Sequence, residues 1–197
     1  MAEIGELEGL QALWSHTEGA SDIRVAVLDS PVDLEHPALR GGNIRQLPSY
    51  CPTEPEDSFI VRAHGTYVAS VIGGSRDADM TSVAPGVEVV SIPVVYDLTT
   101  ALDPYNLAAS VDLAVEANAN VIHFSACYPT VSGASHDALE RSVQAAIQRG
   151  ILVVAPAGNN WGELACLAAA SPNVLAVGCL NDDGKRRPSS NWGGPGP

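Results

Sequence analysis

Basic residues are scarce in this 197-residue chain: 10 Lys and Arg stand against 23 Asp and Glu, a formal net charge of −13. Such a surface repels phosphate, which disfavours nucleic acid and leaves a peptide, a neutral ligand or a cation as the expected partner. Long apolar runs are lacking too. Stretches such as 151–155 fall far short of the ~18 to 20 residues of a spanning helix, so no membrane partner is expected. The opening residues are acidic where a secretory signal is basic, and they lack an apolar h-region; the expected compartment is therefore the cytoplasm. Like-charge blocks and low-complexity tracts are missing as well, and 46% of the residues are apolar. That composition is a single core-forming domain over residues 1–197, able to bury roughly 70% of its unfolded surface.

The four cysteines, Cys51, Cys127, Cys166 and Cys179, include no C-x-x-C pair, which argues against a zinc site or thioredoxin-type chemistry. They are expected as reduced thiols, with a disulfide from Cys51 to one of the others as the open exception. No G-x-x-x-x-G-K phosphate loop occurs, and Asp29 lacks the Asp-x-Asp spacing of aspartyl-phosphate enzymes. An unrelated hydrolase or phosphotransferase is correspondingly disfavoured.

What is present is an alternation of apolar runs and amphipathic stretches. Residues 4–14 place Ile4, Leu7, Leu10, Leu13 and Trp14 at helical spacing. A compact apolar run, 24–29, ends on Asp29 and reads as a buried parallel strand. From His64 onward a small-residue stretch reads as a helix opened by that histidine and stopped at Gly73-Gly74. Strands are then expected at 87–95, 121–125, 151–155 and 174–179, with helices at 106–119 and 134–149. Strands separated by helices of this length make an α/β fold with a mostly parallel, doubly wound sheet in three layers, and place function at the strand C-termini.

Asp29, His64 and Asn159 each fall where a pattern meets a strand end. A carboxylate, an imidazole and a primary amide at one sheet edge are three of the four parts of a serine-protease site. The carboxylate fixes the imidazole tautomer, the imidazole takes the serine proton, and the amide donates to the oxyanion.

The motifs around these residues resemble the subtilisin-like serine proteases, the subtilases of the peptidase S8 type. Val27-Leu28-Asp29-Ser30 with Asp33 to Pro37 looks like the family's aspartate motif. His64-Gly65-Thr66-Tyr67-Val68-Ala69 is similar to its histidine motif, and Ser82-Val83-Ala84-Pro85 to the next landmark. Val121-Ile122-His123-Phe124-Ser125 resembles the strand that pairs with substrate, and Ala157-Gly158-Asn159 the oxyanion motif. Residues 172–178 and Ser190-Asn191-Trp192-Gly193 look like segments leading towards the nucleophile.

The resemblance implies catalytic roles for Asp29, His64 and Asn159, and substrate binding by Ser125, Ala126, Cys127 and Gly158. It implies a peptide or protein substrate and a subtilisin-like fold. Within the family the chain is most similar to proteases that mature cyanobactins and related ribosomal peptides, which implies cleavage of a leader from a precursor peptide.

The chain departs from the family at Pro31, where glycine is usual, at His123, where asparagine is usual, and at Cys127-Tyr128, where glycine is common. These changes bear on the pocket rather than on Asp29 and His64. The largest departure concerns the nucleophile. In subtilisin the serine follows the oxyanion asparagine by roughly 65 residues, which puts it near position ~225 here. The only Gly-Thr pair, Gly65-Thr66, already belongs to the histidine motif. The expectation is a subtilase domain truncated at the C-terminus and inactive as it stands, with the serine outside this chain and a complementing C-terminal segment as its candidate carrier. The alternative from a different class is a pseudoprotease that binds peptide without cutting it.

Other residues carry blander readings beside sharper ones. His16 reads as exposed, His36 and His136 as solvated or capping, and His123 as a hydrogen-bonded core imidazole. Asp77 and Asp79 form an acidic turn in which calcium is a possible ligand; no cofactor or other metal is expected. Glu54, Glu56 and Asp57 divide between a solvated loop and recognition of a basic substrate segment, and Trp161 between rim packing and substrate stacking.

Overall fold

Strand β1 (Arg24–Asp29) has neighbours on both sides, and the rest of the molecule is arranged around it. The structure, a computed structural model, describes residues 7–50, 59–75, 82–95, 102–126, 129–130, 136–162, 165–166 and 168–192. In chain order the elements are α1 (Leu10–Trp14), β1, β2 (Ile44–Gln46), α2 (Phe59–Gly73), β3 (Glu88–Pro93), α3 (Pro104–Glu116), β4 (Val121–Phe124), β5 (Pro129–Thr130), α4 (Asp137–Gln148), β6 (Leu152–Pro156), β7 (Ala165–Cys166) and β8 (Leu175–Val177). Six strands form one sheet in the order β2-β3-β1-β4-β6-β8, every neighbouring pair parallel, while β5 and β7 make a small antiparallel pair.

Alternation along the strands sends side chains to two faces. Ala26 and Leu28 join Val90, Ile92, Ile122, Phe124 and Val153 under Leu107 and Val111 of α3 and Leu139 and Val143 of α4. On the opposite face Val27 and Val89 pack with Ala69 of α2, together with Val32, Leu39 and Val87. Burial of each large aliphatic or aromatic side chain contributes about 1.5–3 kcal/mol, so these two clusters hold the layers together.

The second face is covered unevenly. Helix α2 packs on β1 and β3. Beyond β1 the register carries the same face across His123, Val154 and Leu175, and there Leu152, Leu175 and Val177 remain 48%, 52% and 50% exposed.

Local chemistry explains the helix ends. Asp103 caps α3 by accepting from the Tyr105 N–H at 2.8 Å, with Pro104 in the first turn. His136 caps α4 through Nδ1, accepting from the Ala138 N–H at 3.3 Å, and Gly150 follows the helix at φ 82°. At the other end of the sheet Glu88 accepts from Arg24 and Arg45, each at 2.6 Å, which links β3 to both its neighbours. The hydrogen bond from Arg45 is the main reason its carboxyl is held below the usual carboxylate range.

Several expectations shift. His64 does not open its helix: α2 begins at Phe59, so the histidine sits in the second turn. Among the described residues the first helix is only Leu10–Trp14, because Gly9 precedes it at φ 83°. Strand β2 was not foreseen; three residues with one apolar side chain give no period to read. Cys166, expected as a reduced thiol, is disulfide-bonded, whereas Cys179 is free and exposed. Cys51, Asp77, Asp79 and the acidic group Glu54, Glu56 and Asp57 lie outside the described residues.

Candidate active site

The chain leaves β1 towards β3 and leaves β4 towards β6, so the C-terminal ends of β1 and β4 flank a topological switch point, where open α/β sheets leave a crevice. Asp29 ends β1. Its carboxylate is 4% exposed and its Oδ1 accepts from the Ser30 N–H at 2.6 Å. Its backbone carbonyl accepts from the Val94 and Val95 N–H groups at 2.7 and 3.2 Å, which ties the strand tip to the turn after β3.

His64 comes to Asp29 from α2. Its Nδ1 lies 2.7 Å from Oδ1 and 2.9 Å from Oδ2. A carboxylate can only accept, so Nδ1 carries the proton and the neutral ring keeps its free lone pair on Nε2. The His64 side chain is 52% exposed. The hydrogen bond to Asp29 raises its pKa above the ordinary 6.5; burial works against this, and the Asp29 charge adds to it.

The helix can approach so closely because residue 65 is glycine. A Cβ there would run into the Ser30 carbonyl, and the Gly65 N–H donates to Ser30 Oγ at 2.9 Å. Thr66 Oγ1 accepts from the Asp33 N–H at 2.9 Å, fixing the turn beyond Pro31. Proline at 31 therefore leaves the Asp29–His64 contact intact.

Ser125 follows β4 and extends the ladder, its N–H donating to the Leu28 carbonyl at 3.0 Å. Ala126 is half-buried beside it, and Cys127 lies outside the described residues. Ser125 Oγ is 3.0 Å from His123 Nδ1. Burial holds the His123 pKa below 6.5, the Asp29 charge acting upward and the His64 charge downward.

Asn159 lies on the turn after β6. It is exposed, and its amide has no hydrogen-bond partner among the described residues. The turn itself is held firmly. Buried Asn191 donates its N–H to the Gly158 carbonyl at 2.9 Å, and its Oδ1 accepts from the Asn160 N–H at 2.7 Å. Gly158 has φ 105°, and a Cβ there would collide with the Asn191 side chain. Trp161 follows at φ 60° and is 71% exposed, its N–H donating to the Ser189 carbonyl at 3.2 Å. Non-glycine residues adopt such a φ only where the surroundings over-determine it.

The structure thus joins Asp29 and His64 directly, and places Ser125, Ala126, Gly158 and Asn159 just past strand ends at the same sheet edge. The clamp from Asn191 and the His123–Ser125 pair were not read from the sequence as site features. The first links positions 31 apart and leaves no local signal, but the second is an i, i+2 pair on one strand face and was there to be read. A concavity of about 380 Å³ also opens beside the starts of α3 and α4, lined by Tyr105, His136, Asp137, Ala138 and Arg141. Among the described residues no group of three or more His, Cys, Asp or Glu is arranged to hold a metal ion. Nor is any described helix long and apolar enough to cross a membrane.

The profile of the subtilase family, Peptidase_S8, matches residues 20–195. Subtilisin E of Bacillus subtilis (strain 168) is 31% identical over 185 residues, which are 90% of this chain and 46% of that protein. Among solved structures, the prenylagaramide maturation protease PagA superimposes with a TM-score of 0.85 at 36% identity, over 95% of this chain and 64% of its own. The PatG macrocyclase in complex with peptide gives 0.86 at 27% identity, over 97% and 68%. The chain thus spans between 44% and 66% of the length of the curated relatives it matches.

Proposed function

The chain belongs to the subtilase family, and from that premise we propose that it forms the Asp–His–Asn part of a serine endopeptidase that cleaves a precursor peptide during cyanobactin-like maturation. The observation that carries this reading is the Asp29–His64 contact, 2.7 and 2.9 Å to the two carboxylate oxygens. Asp29 keeps the proton on Nδ1 and stabilises the ring once it is charged. Nε2 takes the proton of a serine hydroxyl as that oxygen attacks the scissile carbonyl, and returns it to the departing amine. Asn159, without a hydrogen-bond partner among the described residues, donates its amide N–H to the oxyanion that forms.

The peptide adds as a strand along Ser125 and Ala126, with Gly158 backing the turn opposite and Cys127 as a pocket wall. The precursor-peptide substrate is supported by the likeness to the maturation protease PagA and to PatG.

The serine is assigned to polypeptide beyond residues 1–197. The half-exposed Leu152, Leu175 and Val177 support this, since they form an apolar surface beside the site that a further segment of the same domain would cover. The cytoplasm is retained as the compartment. The free, exposed thiol of Cys179 supports it, whereas the disulfide at Cys166 counts against it.

A fluorophosphonate probe tests the assignment. Residues 1–197 alone are expected to stay unlabelled, and a protein extended by a serine-bearing subtilase segment to label and to cleave peptide. His64→Ala in the extended protein is expected to remove about 10⁶ in kcat, the scale known for its counterpart in subtilisin. An extended protein that binds peptide yet never labels would make this a peptide-binding pseudoprotease instead.

A further inference from the structure

The site holds a second imidazole that the proposed proton transfer does not use. His123 stands where family members commonly carry asparagine. It points to the same sheet face as Val27, its register partner on β1, and Val154, its partner on β6. Two residues on, along the same face, Ser125 Oγ lies 3.0 Å from its Nδ1, within ordinary hydrogen-bond range. Ser125 is also anchored through its backbone to Leu28, next to Asp29. The imidazole therefore touches the strand that the proposed function gives to the peptide, and it feels the charges of Asp29 and His64.

We propose that His123 is a positioning residue of the peptide-pairing strand: its unprotonated Nδ1 accepts the Ser125 hydroxyl and orders it beside Asp29 and His64, and protonation of the ring reverses that hydrogen bond. The physical reason is a change of role. A neutral ring with its proton on Nε2 accepts at Nδ1, whereas an imidazolium donates at both nitrogens, so Ser125 Oγ must then accept and its hydroxyl proton turns away from the ring.

Two charged groups act on that switch. Asp29 from β1 favours the imidazolium and His64 from α2, when charged, opposes it; β6 carries no titratable side chain over Leu152–Pro156. Burial, joined by a charged His64, outweighs Asp29 and keeps His123 neutral until the pH falls below 6.5, whereas His64 gains its proton above 6.5. The two imidazoles thus load protons in sequence, His64 first. Peptide capture then has an acid limb of its own, separable from the protonation of the catalytic base. This inference rests on the reading of residues 125–126 as the peptide-pairing strand.

Nuclear magnetic resonance of residues 1–197 tests it without needing turnover. The His123 Nδ1 is expected to show the nitrogen shift of an unprotonated ring atom at pH 7.5. The Ser125 amide is expected to move with the His123 midpoint, below 6.5, rather than with the His64 midpoint. His123→Asn is expected to abolish that lower step. Should that variant not fold, Ser125→Ala serves instead, and is expected to lower the His123 midpoint by about 0.4 to 1 pH unit, the margin by which the charge-assisted bond exceeds the neutral one. A protonated Nδ1 at pH 7.5, a Ser125 amide that follows only His64, or a lower step that survives the substitution overturns the proposal.

Blocked tetra-alanine, a side-chain-neutral probe of strand pairing, separates the two readings. Its affinity is expected to change about three- to tenfold more between pH 7.5 and 5.5 in the parent than in His123→Asn. An equal change in both proteins counts against His123. No binding at any pH counts against the peptide-pairing strand alone, because the His123–Ser125 link is read by the amide shifts.

Discussion

At the scale of single residues, the site turns on which atom of His64 holds a proton. Asp29→Asn removes the acceptor that compels Nδ1 to carry it. In the serine-complemented protein the expected loss is about 10⁴-fold in kcat, the scale known for the equivalent change in serine proteases. The sign of the pH effect follows from the raised His64 pKa. The stability this contact contributes is fully present below the ordinary 6.5 and is lost as the pH rises through the raised value. The Tm difference between parent and variant is therefore expected to be larger at pH 6 than at pH 9, which thermal melts at the two pH values would check; a difference that grew towards pH 9 would contradict the assignment. Asp29, His64 and Asn159 were legible in the sequence because each sits in a short run whose neighbours are dictated by the same geometry, Ser30 and Gly65 above all. Asn191 was not: its hold on Gly158 and Asn160 is a contact between distant segments, which no local pattern encodes.

Among the elements, α2 carries the tightest constraint. It brings its backbone against the end of β1 at Gly65, where any side chain would meet the Ser30 carbonyl. Backbone cannot yield as a flexible side chain can. Gly65→Ala is therefore expected to destabilise the fold by about 1–3 kcal/mol, the usual range for overpacking, and to lower the His64 pKa towards 6.5 as the ring is pushed off Asp29. Urea unfolding and a histidine titration would check the two effects, and an unchanged midpoint would mean that the helix can shift without loss of the pair. The strands β1, β3, β4 and β6 were readable because continuous apolar runs between helices have few other solutions. The start of α2 was misjudged because the histidine motif looks like a beginning, whereas the helix is already a turn long when it reaches His64. At β8 only the middle of the expected run pairs, and its residues are all exposed, as befits a sheet edge.

For the whole molecule, the decisive feature is the division of one sheet face into a half sealed by α2 and a half left open. If the open half receives the serine-bearing segment, a charged surface there should block assembly while the Asp29–His64 pair stays in place. The double substitution Leu175→Lys with Val177→Lys is expected to reduce binding of a hydrophobic dye by residues 1–197 and to prevent fluorophosphonate labelling on addition of the segment. Labelling that persists would place the contact elsewhere. The doubly wound plan, and with it the sheet edge at which Asp29 and His64 meet, followed from the alternation of strands and helices. The open half did not, because exposure of a strand face depends on what lies over it.

The central position of β1 also governs when the site can exist at all. Its partners arrive late: Arg24 pairs with Glu88, and Val25 with Val121, far along the chain. Closing such long loops is slow, so parallel sheets of this plan form late in folding. A nascent chain that has just emerged through α2 already carries both Asp29 and His64, yet β1 has no strand on either side to hold its carboxylate in place. The Asp29–His64 geometry is thereby withheld until the sheet has closed around its first strand.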